Sequence, residues 1–214
     1  MTAPAVLGVE DARRLEECLS SGGVTVFPAD TVYGLCCDPE DERAVRRLYE
    51  LKGRPAERPA AIMFFALASL LRVLPEIRAR ERAALQALLP GPATLLLPNR
   101  TNRFPLACGP LEGGANSLGL RVPAWTVPLA ALDTVNVPVL QSSANLSGEP
   151  DARCLADVPL SIRAGADLVI DGGELPGIAS TVLDLREYAQ SGDWSVVREG
   201  PLTRADVERI LASC

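Results

Sequence analysis

No histidine occurs anywhere in the 214 residues. Without an imidazole the chain cannot run Ser-His or Cys-His nucleophilic chemistry, and proton transfer near neutral pH falls to a carboxylate, a lysine or the substrate itself. Hydrolase triads are excluded on that ground. Structural zinc is a poor fit as well: the cysteines (Cys18, Cys36, Cys37, Cys108, Cys154, Cys214) are scattered, with no CxxC pair and no histidine to complete a ligand set. No metal-ligating residues are expected. Lysine is almost missing, one residue against twenty arginines. A compact ammonium with three donors and a wide planar fork are not interchangeable, so Lys52 marks either a position where a fork does not serve or an accidental survivor on a solvated helix end.

Long apolar runs are missing too. None approaches the roughly 20 residues that span a bilayer, and the first ten residues lack a basic stretch followed by an apolar one. The cytoplasm is the expected location. A net charge of −6 speaks against a broad nucleic-acid footprint, which needs a continuous basic face to displace counterions. A small anion needs only a local cationic cluster in a cleft.

What is present fits one α/β domain over residues 1–214. Residues 11–21 read as an amphipathic helix closed by Gly22-Gly23. Val24 to Phe27 reads as a strand stopped by Pro28, and residues 29–34 as a turn at its carboxyl end, where open α/β sheets place ligands. The helix over 40–52 puts Val45, Leu48, Tyr49 and Lys52 at i, i+3, i+4, i+7, so Lys52 should leave it on the buried side. Strands are predicted near 60–65, 94–97, 118–122, 137–141, 166–170, 181–185 and 195–198. Helices are predicted near 68–74, 78–89, 127–132 and 203–212. Residues 99–116 read as a long loop. Strict βαβ alternation is absent, which predicts a mixed, twisted sheet with helices on its faces. No GxGxxG or GxxxxGK[ST] occurs, so a nucleotide would have to bind without a P-loop.

Polar patches end several apolar strands: Asp30-Thr31-Val32-Tyr33-Gly34, Lys52-Gly53-Arg54-Pro55, Ser117 with Arg121, and Ser142 to Gly148. Each alone could be a turn, a helix stop or a cap. In combination, VFPADTVYGL, YELKGRP, LLPGPATLLL, SLGLRVP, SSANLSG, STVLDL and VVREGPLT, in this order over nearly the whole chain, resemble the YrdC-like family of threonylcarbamoyl-AMP synthases.

That resemblance implies a twisted mixed sheet with flanking helices around a deep cleft, and a reaction among ATP, bicarbonate and L-threonine that releases pyrophosphate. It implies that Lys52, Arg54, Ser143 and Asn145 are catalytic and, with Arg58, Ser117 and Arg198, hold ATP. Thr31, Tyr33, Arg121 and Ser180 would hold threonine, with Arg121 on its carboxylate. Mg²⁺ is expected on the triphosphate, held by phosphate oxygens and water. A tRNA-modifying transferase complex would receive the product. By the same resemblance the chain is expected to carry only the catalytic domain of longer members, with the loop over 99–116 as the candidate cover.

Some positions depart from the family pattern. Ala29 stands where a threonine is usual, Ala60 and Ala61 replace bulkier residues, and Met63 and Phe64 stand where a polar residue often contacts threonine. Gln141 is unusual just before the Ser-Ser-Ala-Asn turn. These departures gather at the inferred threonine site and leave its specificity open. Two other readings are an RNA-binding module, disfavoured by the acidic charge, and a related carbamoyl-adenylate enzyme with a different acceptor.

Overall fold

The computed structural model of the chain describes residues 6–55, 58–107 and 117–213. Helix α1 (Val9–Ser20) turns Ala12, Leu15 and Leu19 inward, a three-and-four spacing that makes one apolar stripe, and packs on strand β1 (Thr25–Pro28). β1 pairs antiparallel with β2 (Tyr33–Cys37). Two expectations change here. Pro28 is the last residue of β1 rather than its stop, and Tyr33-Gly34, read as part of a turn, begins a strand. All of β2 is buried, so it lacks the polar alternation that marks a half-buried strand.

Helix α2 (Glu42–Lys52) starts at Asp41, whose carboxylate accepts from the N–H of Arg43 and Ala44 at 2.8 and 3.0 Å. It stops at Gly53, where φ is 58°, a left-handed conformation that costs glycine nothing. The stripe of Val45, Leu48, Tyr49 and Lys52 is buried as its spacing predicts. The chain continues through β3 (Ala61–Met63), α3 (Leu67–Val73), α4 (Ala79–Leu88), β4 (Ala93–Pro98), β5 (Ser117–Arg121), a 3-10 stretch (Val127–Thr134) and β6 (Val139–Ser143). It closes with α5 (Leu160–Gly165), β7 (Leu168–Val169), β8 (Thr181–Asp184), β9 (Ser195–Arg198) and α6 (Arg204–Leu211). α5 is the helix the sequence reading did not anticipate. α6 begins at a capping box, with Thr203 Oγ1 accepting from the Asp206 N–H at 3.2 Å.

The strands form one sheet in the order β7-β1-β2-β6-β3-β5-β4-β8-β9. β1 with β7, β3 with β5 and β4 with β8 run parallel, and the remaining neighbours antiparallel. The sheet is mixed, as the irregular alternation of elements predicts. Of the long loop, Pro105–Ala107 is a 3-10 turn, and residues 108–116, half of the expected cover, lie outside the described residues. Among the described residues no helix is long and apolar enough to cross a membrane.

Candidate active site

Residues paired across neighbouring strands share a face, and along one strand every second residue does. Gln141 of β6 pairs with Ala61 of β3. A Cβ on Gly119 of β5 would lie 3.5 Å from the Ala61 Cα, and Gly119 pairs with Leu96 of β4. Thr94 pairs with Val182 of β8, and Val182 with Arg198 of β9. Two residues along from these stand Ser143, Ser117 and Arg121. One face of the sheet thus floors a cavity of about 200 Å³, with Arg54, Ser142 and Ser180 on its walls.

The floor is low where Ala61 and Gly119 meet and cationic around its rim, at Arg54, Arg121 and Arg198. Arg54 is braced by its own loop, Nε donating to the Arg58 carbonyl at 3.1 Å and an NH2 group to that of Pro59 at 2.8 Å. Arg58 itself is exposed, off the cavity lining, and supplies its carbonyl to this arrangement. Arg198 donates to the Ser180 carbonyl at 2.8 Å, and the Ser180 hydroxyl shares a 2.8 Å hydrogen bond with Thr94. Burial pushes the Arg54 and Arg198 guanidiniums down from their ordinary values, yet arginine stays charged across the usable pH range.

Arg121 is 4% exposed and donates to the carboxylate of Asp30 and the hydroxyl of Thr31. Its Nε is buried with no hydrogen-bond partner among the described residues. A buried N–H left unmade costs roughly 1–3 kcal/mol, so this donor is available to an incoming acceptor. Thr31 therefore serves the site through Arg121 rather than on the cavity wall.

Lys52 corrects the expectation that its ammonium faces the cavity. Nζ donates to Asn145 Oδ1 at 2.6 Å, Ser143 O at 2.7 Å, Asn145 O at 2.9 Å and, more weakly, Ser143 Oγ at 3.2 Å. The Ser143 hydroxyl donates in turn to Asn145 Oδ1 at 2.6 Å, and Asn145 Nδ2 donates to the Glu149 carbonyl. Because the last turn of α2 ends directly behind the turn over 143–147, Lys52 and Asn145 point at one another. Ser143 alone of the three lines the cavity. Burial pushes the Lys52 pKa down to about 8, Arg54 adds to that and Asp151 opposes it. The oxygen cage works toward the charged form, since carbonyl and amide oxygens accept only and three N–H groups are what they need.

Tyr33 is the second correction. Expected in the amino-acid pocket, it is fully buried, its hydroxyl donating to Asp171 Oδ1 or the Gly173 carbonyl, each at 2.9 Å, and accepting from the Gly172 N–H at 2.9 Å. Strand alternation turns it away from the floor. Ala29, Met63 and Phe64 are likewise buried and off the lining, whereas Gln141 is on it. Sequence reasoning overlooked Thr94, Gly119 and Val182 on the floor. Counting by two from Ser117 to Arg121 would have found Gly119, and a threonine heading a leucine-rich strand was the signal for Thr94.

A family model for Sua5, YciO and YrdC proteins, described as "Telomere recombination", matches residues 17–200. A threonylcarbamoyl-AMP synthase of Pyrococcus abyssi is 32% identical over 194 residues, covering 90% of this chain and 55% of that protein. One of Xanthomonas euvesicatoria is 39% identical over 165 residues, covering 76% of this chain and 86% of its own length. The crystal structure of P. abyssi Sua5 complexed with L-threonine superposes with a TM-score of 0.81 at 30% identity, over 95% of this chain and 58% of that one. This chain thus spans little more than half of the archaeal relative.

Proposed function

The chain belongs to the Sua5/YciO/YrdC family, and from that premise we propose that it is an L-threonylcarbamoyladenylate synthase. It condenses L-threonine, bicarbonate and ATP to threonylcarbamoyl-AMP and pyrophosphate in the cytoplasm, for a transferase that modifies tRNA. The observation that carries this reading is the convergence of Arg54, Arg121 and Arg198, from segments far apart in sequence, on one sheet face beside Ser143. Support comes from relatives named for this activity and from the threonine bound to the P. abyssi protein.

The threonine amine adds to bicarbonate with loss of water, giving a carbamate. A carbamate oxygen then attacks the α-phosphorus, and pyrophosphate leaves. The substrates supply their own protons, so a site without histidine suffices if it positions the reactants and neutralises charge. Arg54 and Arg198 take the phosphates. Arg121, with Asp30 and Thr31 fixing its plane, offers Nε to the amino-acid carboxylate, and Ser143 is aimed at the reacting centre by Lys52 and Asn145. The lining carries hydroxyls and guanidiniums but no carboxylate among the described residues, a donor set unsuited to a resident divalent cation. Mg²⁺ would enter as part of the ATP substrate. Pyrophosphate release from MgATP tests the assignment: it should require both threonine and bicarbonate, and release driven instead by carbamoyl phosphate would overturn it.

A further inference from the structure

Gln141 stands on β6, at one edge of the floor, and leaves only 5% of its surface exposed. Among the described residues its side-chain amide has no hydrogen-bond partner, whereas the hydroxyls of Ser143, Thr94 and Ser180 are all engaged. With no partner and yet not sealed from the cavity, the amide is open to a ligand, and the neighbouring positions make room for it. Gly34 is without a side chain beneath it, and a Cβ there would lie 2.8 Å from the Gln141 Nε2. Ala61 and Gly119 keep the next two strands flat in front of it.

We propose that Gln141 is the specificity-determining residue for the amino-acid substrate, its amide exchanging hydrogen bonds with the substrate's side-chain hydroxyl. The proposal rests on the activity inferred above and goes beyond it by assigning this residue. Charge sorts the substrate's groups. The rim is cationic and takes the carboxylate and the phosphates, while the Gln141 amide, beside the Ser117 and Ser142 hydroxyls, is the longest neutral group on the lining that both donates and accepts. A hydroxyl is the neutral group of threonine that also does both. Met63 is buried away from the lining, so Gln141 supplies the polar contact that a thioether at that position cannot.

L-Valine replaces the threonine hydroxyl with a methyl group and is the natural probe. Calorimetric titration of the wild type, Gln141→Met and Gln141→Leu with L-threonine and L-valine should show the wild type preferring threonine by at least about tenfold, the loss expected when a buried polar group goes unpaired. In both variants the preference should fall to within about threefold, with valine binding unchanged or tighter. Methionine matches glutamine in length and leucine retains an apolar side chain of comparable bulk, so a folding defect in one leaves the other to decide. A threonine-to-valine ratio unaltered by either substitution, or a wild type that does not discriminate, overturns the proposal. Selective threonine binding without pyrophosphate release would instead reject the catalytic assignment and leave the role of Gln141 standing.

Discussion

Lys52→Arg keeps the charge and tests whether the ammonium cage is what demands a lysine. The cage holds three strong acceptors at 2.6, 2.7 and 2.9 Å around one nitrogen, a convergence that a planar guanidinium, with its donors splayed over a fork, cannot reproduce. Hydrogen bonds to charged groups contribute roughly 1.5–3 kcal/mol each, and an acceptor stranded in the interior costs about 1–3 kcal/mol. Water can reach part of the vacated space and the contributions are not additive, so we expect a net loss of about 2–4 kcal/mol for Lys52→Arg and similarly for Lys52→Ala. Against a typical total of about 5–15 kcal/mol, the variants should still fold. Urea unfolding reads the stability. Pyrophosphate release reads the consequence for Ser143 and Asn145, and the rate should drop at least about tenfold, equivalent to roughly 1.4 kcal/mol of transition-state stabilisation. A Lys52→Arg protein with wild-type stability and turnover would refute the cage as the reason for this lysine.

Three further outcomes follow from the geometry. Turnover should decline as pH rises through about 8, where Lys52 loses its proton; over the window from about 8 to 10.5 the unfolded chain holds that proton more tightly, so this group's contribution to folding stability rises with pH while activity falls. A flat rate profile to pH 9.5 would contradict the first half of that statement. Arg121→Lys keeps a cation for the buried Asp30 but removes the Nε donor and the fork, and should raise the KM for threonine at least about tenfold while leaving that for ATP within about twofold. Tyr33→Phe removes a hydroxyl bound to Asp171, Gly172 and Gly173; thermal unfolding should show a loss of about 1–2 kcal/mol with threonine KM unchanged, and a threonine-specific KM effect would return Tyr33 to the pocket.

Much of this was legible before any coordinates, and the reasons differ by element. Asp41, Gly53 and the apolar stripe of α2 are local signals, set by cap chemistry and helical periodicity, so the helix and the inward exit of Lys52 could be read directly. Ser117 and Arg121 share a face because strands alternate, and they do line the cavity. The direction in which a turn aims its side chains is set by tertiary pairing instead. Thr31 and Tyr33 sit in the motif nearest the site, yet the hydroxyl of one accepts from Arg121 and the other side chain plugs the core. The destination of the Lys52 ammonium likewise depended on where residues 143–147 fold back, more than ninety positions away in sequence. β2 escaped notice because burial on both sides erased its pattern.

The paving of the cavity by strands β6, β3, β5, β4, β8 and β9 ties ligand affinity to the completion of folding. Sliding β6 by a single residue would present Leu140 and Ser142 upward and turn Gln141 and Ser143 to the opposite side, since side chains alternate with a repeat of two. An incompletely assembled chain therefore has no weakened version of the site, only its absence, and saturable ligand uptake doubles as a gauge of how much of a preparation has reached the native alignment.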